Sequence, residues 1–133
     1  MHDHNATLAR HWFEQVWNHR RPEFINELAA PDCLGHHPDG DTTGIGAWRT
    51  SVYEPTLAAI PDVRVNVEDV IADAERAVVR WRARGTHSGD GYGIPPSGRP
   101  VDFTGVTWLR FVKGRIVEGW DCWNQDGLLK QLS

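Results

Sequence analysis

The sequence has few of the features that mark secreted, membrane and nucleic-acid-binding proteins. Its 133 residues include only two cysteines, Cys33 and Cys122, so a disulfide-stabilised scaffold is not expected and the cytoplasm is the predicted compartment. Every apolar run is shorter than the roughly 18 residues that a membrane-spanning helix requires, and the first five residues do not resemble a signal peptide. The net charge is -4 with no Lys/Arg-rich run, which argues against nucleic acid or an anionic membrane as partner.

The composition is that of one folded domain with an excess of tryptophan. Hydrophobic residues make up 40% and charged residues 24% of the chain, which are ordinary values for a globular protein. The length fits one core, and no repeat or linker divides the chain, so a single domain over residues 1–133 is predicted. Tryptophan lines cavities and interfaces as readily as it fills cores, so its seven copies predict a pocket or a dimer face.

Hydrophobic periodicity predicts helices in the first half of the chain. Asn5 is a plausible N-cap for the first helix, and Pro55 should kink or split the third. The predicted elements are helices at about residues 6–19, after Pro22 and at 45–59, a brief strand at 33–37 and a loop at 38–41.

Alternating apolar residues predict four strands in the second half. A change of phase predicts a bulge near residues 68–69. Arg80, Arg82 and Arg84 should face water, which places His87 on the inner face. A loop rich in Gly, Pro and Ser covers residues 88–100. After it come strands at 101–112 and 115–124, joined by a tight turn at 113–114, and a final helical turn at 127–132.

Helices followed by an antiparallel meander predict an α+β fold with the helices on one face of the sheet. Gly85, Gly105 and Gly119 lie inside predicted strands and permit sharp curvature. A strongly curved antiparallel sheet capped by three N-terminal helices forms a cone-shaped α+β barrel. One end of such a cone can remain open as a pocket.

Asp121 is the most informative residue, because it lies on the last predicted strand close to two tryptophans. A carboxylate there is costly to desolvate unless it is paired or its pKa rises. A raised pKa would suit a general base near neutral pH. The alternative is an aspartate that faces solvent. A two-residue turn at 113–114 pairs Val112 with Arg115 and places Thr107 opposite Trp120.

That pairing leaves two sets of residues on opposite faces of the last two strands, and either set could line the cavity. The first set is Asp121, Trp123, Gly119, Val106 and Trp108, and the second is Trp120, Cys122, Asn124, Thr107 and Phe111. A bulge in the last strand would mix the two sets.

Several other residues are candidates for the site. His87 could donate a hydrogen bond to a substrate carbonyl, or could be a core histidine. His36 and His37 are adjacent and point to opposite faces of a strand, and His36 is taken as the pocket residue. Their spacing fits no standard zinc pattern, so no metal is predicted. The candidate walls, which could equally be core or dimer interface, are Trp48, Tyr53, Trp81, Trp108 and Tyr92, the last as a lid residue.

Four segments carry a resemblance to a known family. They are residues 85–89 (GTHSG), 93–99 (GIPPSGR), 111–117 (FVKGRIV) and 127–132 (GLLKQL). With the order of elements, they make nearly the whole chain resemble the SnoaL-like polyketide cyclase, or ester cyclase, family of the nuclear transport factor 2-like superfamily. The resemblance implies the cone-shaped fold described above.

The resemblance also implies a cofactor-independent intramolecular aldol condensation, or a related proton transfer, on a small apolar carbonyl compound. Asp121 matches the acid/base of the founding cyclases, and His87 matches a histidine of the Gly-x-His segment. Thr107 stands where those enzymes have a second pocket histidine, and Asn124 stands where many members have an acid. The substrate is therefore expected to differ.

Two other classes of function remain open. The same fold hosts isomerases and epoxide hydrolases, and a hydrolase of that kind uses an Asp-Arg-Asp set to activate water. A non-catalytic ligand-binding or dimerisation module is the third possibility, because fold does not determine function. A homodimer through the outer face of the sheet is expected, since Trp-rich strands need cover.

Overall fold

The computed structural model describes residues 2–132, which form a curved six-stranded sheet with helices packed against it. The helical elements are α1 (His2–His11), π1 (Trp12–Asn18), α2 (Glu23–Leu28), α3 (Ile45–Trp48), π2 (Arg49–Tyr53), α4 (Glu54–Ala59) and α5 (Gln125–Gln131). The strands are β1 (Ala29–His37), β2 (Gly40–Thr43), β3 (Arg64–Ala72), β4 (Arg76–Thr86), β5 (Pro100–Val112) and β6 (Arg115–Trp123). The predicted α+β fold is confirmed.

The sheet has the order β2-β1-β6-β5-β4-β3 and does not close. The predicted antiparallel meander of the last four strands is confirmed, whereas β1, predicted only as a brief strand, runs parallel to β6. The short edge strand β2 was missed. It lies partly in the predicted loop at 38–41, and Gly40, with a φ of 135°, allows the chain to turn back and pair with β1.

The helices that cover the sheet widen into π-helical turns. The predicted first helix begins earlier than residue 6, and Asn5 lies inside it instead of capping it. The Asn5 side chain donates to the Asp73 carbonyl at 2.9 Å. The extra residue per turn in π1 places Trp12, Phe13 and Val16 together on the buried face. The third helix widens likewise at π2, just before Pro55, where an interruption was predicted.

Bulges in β3 and β6 set which side chains face the core. The predicted bulge in β3 is confirmed by a register shift between Val67 and Asp69. In β6, Val112 pairs with Arg115 as predicted and Phe111 pairs with Ile116, but Arg110 pairs with Glu118, so Val117 is an extra residue. Asp121 therefore lies opposite Thr107, and the predicted pairing of Thr107 with Trp120 is wrong.

The strand β4 follows its predicted pattern, with arginines on the outer face and a buried inner face. Beyond it, the loop at residues 88–99 packs closely on α4. A Cβ added at Gly89 would lie 1.7 Å from the Ala58 carbonyl oxygen, and one at Gly91 would lie 2.0 Å from the Pro55 oxygen. Only glycine permits this approach. Across residues 2–132, every helix is too short or too polar to cross a membrane.

Candidate active site

A cavity of about 120 Å³ lies between the inner face of the sheet and the helices, partly open to solvent. Most of its wall is apolar. The aromatic residues that line it are Trp12, Phe13, Trp17, Trp48, Trp81, Tyr92, Phe103 and Trp123. Three of the predicted wall residues, Trp48, Trp81 and Tyr92, are therefore in place, and their contact with a ligand remains a prediction.

A polar cluster with Asp121 at its centre interrupts this apolar wall, as does the hydroxyl pair of Tyr92 and Thr56. The Thr107 hydroxyl donates to Asp121 Oδ1 at 2.6 Å, and His37 Nδ1 lies 3.0 Å from Asp121 Oδ2. An ionised carboxylate only accepts, so His37 donates through Nδ1. Thr42 lies 3.2 Å from the other ring nitrogen of His37. The Asp121 side chain is 24% exposed and that of His37 is 7%, so the carboxylate is the more accessible of the two.

The local sequence explains how this cluster forms. The extra residue Val117 turns Asp121 to the inner face, beside Thr107 on β5. Gly35 leaves room for the imidazole of His37, since a Cβ at that position would lie 2.6 Å from His37 Nε2 and from Thr42 Oγ1. Among the lining residues in the described part of the chain, Asp121 is the only carboxylate, and lysine and arginine are absent.

His37, not His36, enters the cavity, which corrects the predicted choice between them. His36 points to the outer face, where Nε2 lies 2.7 Å from Glu118 Oε2 and Nδ1 lies 3.0 Å from Asp41 Oδ1. Its ring stacks on Trp120 with a centroid distance of 5.2 Å. Because adjacent side chains on a strand point to opposite faces, only one of the two histidines can face inward. The choice depends on the pairing of β1 with β6, which no local pattern reveals.

The outer histidine is part of a charge network. Hydrogen bonds from His36 to Glu118 and Asp41 raise the pKa of the imidazole, since they stabilise its protonated form. The hydrogen bond from His36 and, to a smaller extent, that from Arg110 lower the pKa of the Glu118 carboxyl. Arg110 lies 3.2 Å from Glu118.

His87 lies on the inner phase of β4, as predicted, but it is not among the residues that line the cavity. It is fully buried beneath the loop at residues 88–99, where Nδ1 accepts the Ser97 backbone N–H at 3.2 Å and lies 2.9 Å from the Ser97 hydroxyl. The physical reason is its position along the strand, just past the end of β4, where the loop folds back over the ring. The ring is therefore buried outside the cavity, and its Nε2 has no hydrogen-bond partner among the described residues.

Four further predicted pocket residues lie elsewhere. The bulge turns Trp120 away from the inner face, and Trp108, which pairs with it, is 43% exposed. The side chain of Asn124 caps α5 by accepting the Gly127 N–H at 2.9 Å. Tyr53 packs behind the wall against Trp48, and its hydroxyl donates to the Val16 carbonyl at 2.8 Å.

The two cysteines do not suggest thiol chemistry. Cys33 lines the cavity. Burial raises the pKa of its thiol to about 11, with smaller contributions from the negative charges of Asp32 and Glu118. It is therefore protonated near neutral pH and a poor nucleophile. Cys122 is exposed. Within residues 2–132, no group of three His, Cys, Asp or Glu side chains is placed to hold a metal ion.

The fold and the site define a small α+β protein with a carboxylate in the wall of an aromatic cavity. Residues 7–132 match the profile of the SnoaL-like polyketide cyclase family, and the chain belongs to that family. No curated protein sequence matched the chain.

Solved structures agree with this assignment. IdmH from Streptomyces antibioticus, provisionally described as a polyketide cyclase, is 32% identical with a TM-score of 0.82, over 96% of each chain. AclR from Streptomyces galilaeus, provisionally described as a hydroxylase, is 30% identical with a TM-score of 0.83, over 98% of this chain and 80% of AclR. A SnoaL-like protein from Jannaschia sp. CCS1 shares the fold at 21% identity, with a TM-score of 0.90 over 99% and 93% of the two chains.

Proposed function

We propose that this protein is an acid/base enzyme that closes a ring in an apolar carbonyl compound by intramolecular aldol condensation. The observation that supports this most strongly is Asp121, held by Thr107 and His37 in the wall of a mostly apolar cavity. Membership of the SnoaL-like polyketide cyclase family supports the same class of reaction.

In the proposed reaction, an oxygen of the Asp121 carboxylate removes a proton from a carbon that lies between two carbonyl groups. The resulting enolate carbon attacks a second carbonyl of the same molecule, which forms a carbon–carbon bond and an alkoxide. Protonated Asp121 then returns its proton to the alkoxide oxygen. The product is an isomer of the substrate, and no redox partner is needed. Asp121 ends each cycle as it began.

The neighbours of Asp121 hold it ready for this step. Hydrogen bonds to both carboxylate oxygens fix the plane of the carboxyl group, so little reorganisation is required when the substrate arrives. The aromatic walls limit the access of water to the carboxylate and present flat surfaces to unsaturated carbonyl compounds. Proximity between the two reacting carbons then comes from the shape of the cavity.

The size of the cavity limits how much of a substrate it encloses. An apolar cavity of about 150 Å³ is known to hold benzene, and the cavity here has about 120 Å³. The enclosed part therefore accommodates about one ring. The remainder of a longer substrate would extend past Leu34, a lining residue that is 37% exposed.

The alternative functions receive less support from the same site. A water-activating Asp-Arg-Asp set would need a second carboxylate and an arginine, and neither is found among the described residues that line the cavity. A purely structural module would be expected to fill its cone with side chains. Action without a cofactor, and a homodimer through the outer face that exposes Val106 and Trp108, remain predictions.

The reaction class is tested by incubating the protein with a panel of activated polycarbonyl compounds and analysing the products by mass spectrometry and NMR. We expect a cyclic product of unchanged mass, or one lighter by one water if dehydration follows. A product heavier by one water would identify a hydrolase instead. Asp121→Asn should abolish product formation, and unchanged turnover by this variant would remove the acid/base assignment.

A further inference from the structure

A third residue is linked to the carboxylate through Thr107. The indole N–H of Trp81 donates to Thr107 Oγ1 at 2.9 Å, and both residues are buried, with 7% and 5% of their surfaces exposed. Thr107 in turn donates to Asp121 Oδ1. The three side chains come from β4, β5 and β6 and form one row across the inner face of the sheet.

The hydrogen atoms in this row can be assigned from chemistry alone. An indole N–H only donates, and an ionised carboxylate only accepts. The Thr107 hydroxyl lies between them, so its oxygen must accept from Trp81 and its single hydrogen must point to Asp121. Trp81 thereby fixes the rotation of a hydroxyl that could otherwise turn toward other acceptors.

The packing around Trp81 holds the indole where it can do this. Trp81 pairs with Gly105 across the β4–β5 ladder. A Cβ on Gly105 would lie 2.5 Å from Trp81 Cζ2, so glycine is what lets the ring lie across β5 and reach Thr107. The rings of Phe103 and Trp81 form a T-shaped contact with a centroid distance of 5.9 Å.

We infer that Trp81 is a positioning residue, which orients the proton-accepting carboxylate of Asp121 through the hydroxyl of Thr107. Its ring forms part of the cavity wall, but its N–H faces the polar row and is already bonded within the protein. The catalytic consequence rests on the proposed function. The hydrogen-bond relay itself does not, and the two can be tested separately.

The relay is tested by NMR on the full-length, ¹⁵N-labelled protein. The indole N–H resonance of Trp81 is identified by its loss in Trp81→Phe. It is then followed in Asp121→Asn, Thr107→Val and the double variant. We expect Asp121→Asn to shift the Trp81 resonance when Thr107 is present and to leave it unmoved in the Thr107→Val background. The inference is overturned if Asp121→Asn leaves the Trp81 resonance unshifted, or if it shifts the resonance equally in the Thr107→Val background.

The effect on catalysis is tested with a double-mutant cycle. Trp81→Phe and Thr107→Val should each lower kcat by about 2- to 10-fold, the range expected for one hydrogen bond, with KM much less affected. The double variant should be no slower than Thr107→Val alone, and Thr107→Ser should restore most of the rate. Effects that multiply in the double variant would show that Trp81 acts independently and would overturn the inference.

One control variant and the independence of the two experiments separate the possible failures. Trp108→Phe changes an exposed tryptophan of the outer face and should leave both the Trp81 resonance and the rate unchanged. If the wild-type protein turns over no carbonyl substrate, the proposed function fails, whereas the NMR experiment still decides whether the relay exists.

Discussion

Two neighbouring histidines of β1 each pair with a carboxylate of β6, on opposite faces of the sheet. His36 meets Glu118 on the outer face at 2.7 Å, and His37 meets Asp121 on the inner face at 3.0 Å. The histidine side chains are 31% and 7% exposed, respectively. The two pairs therefore have the same chemical groups and the same strands, and differ in their surroundings.

The different surroundings of the two pairs suit them to different roles, one in stability and one in proton transfer. The outer pair is joined by Asp41 and Arg110 into a network of opposite charges at the surface, where water and salt screen it. The inner pair is joined only by hydroxyl groups and is otherwise surrounded by apolar walls. An inner carboxylate can exchange a proton with a ligand that excludes water, whereas the outer one is already bonded to His36 and Arg110.

The largest difference between the two pairs is expected in catalysis. His37→Gln removes the donor to Asp121 Oδ2 and should lower kcat/KM by about 10- to 100-fold, because the carboxylate loses one of the groups that orient it. His36→Gln should change kcat/KM by no more than about twofold, the scatter expected of a surface change. Steady-state kinetics on any turned-over substrate measures both, and equal effects of the two variants would contradict the comparison.

A smaller effect is expected from moving His37 without removing it. A Cβ on Gly35 would meet both His37 Nε2 and Thr42 Oγ1 at 2.6 Å, so Gly35→Ala must displace these side chains. We expect kcat/KM to fall by about 10-fold, since small misplacements at a reacting centre are costly. Gly46→Ala is the matched control, because nothing lies within 4 Å of its added Cβ. A fully active Gly35→Ala variant would show that the position of His37 is unimportant.

The outer pair, His36 and Glu118, should make the folding stability of the protein depend on pH. The pKa of His36 is raised above its ordinary 6.5, so its contribution is complete below that pH and is lost as the pH rises through the raised value. The pKa of Glu118 is lowered from 4.5, so its contribution is present above 4.5 and is lost as the pH falls.

The stabilisation by this pair should therefore be largest between pH 4.5 and 6.5. In that window, His36→Gln should lower Tm by about 1–4 °C, and the difference from wild type should shrink toward pH 9. Thermal unfolding followed by circular dichroism measures this. The exposed pair His19–Glu14 provides a matched control through His19→Gln. A difference in Tm that grows with rising pH would contradict the assignment of His36.

Much of the sheet could be predicted because its signals are local. The alternation of arginine with apolar residues in β4, the change of phase in β3 and the Lys113–Gly114 turn each depend on a few adjacent residues. Lys113 and Gly114 both have positive φ, at 52° and 76°, as a tight hairpin of this type requires.

The site was less predictable because it depends on distant pairings. The bulge at Val117 lies next to Ile116, and two adjacent apolar residues give no alternation from which to read the phase. The entry of His37 depends on the parallel pairing of β1 with β6. His87 has the predicted phase, but alternation cannot tell how far along a strand the cavity extends.

We propose that the inner carboxylate, and not the outer one, exchanges a proton with a bound carbonyl compound. The most direct test follows, by NMR in D₂O, how fast the protein exchanges the acidic C–H hydrogen of a 1,3-dicarbonyl ligand for deuterium. We expect Glu118→Gln to exchange at the wild-type rate within about twofold, and Asp121→Asn to be slower by about 10²- to 10⁴-fold. Exchange at the wild-type rate by Asp121→Asn would rule out this role for the inner carboxylate.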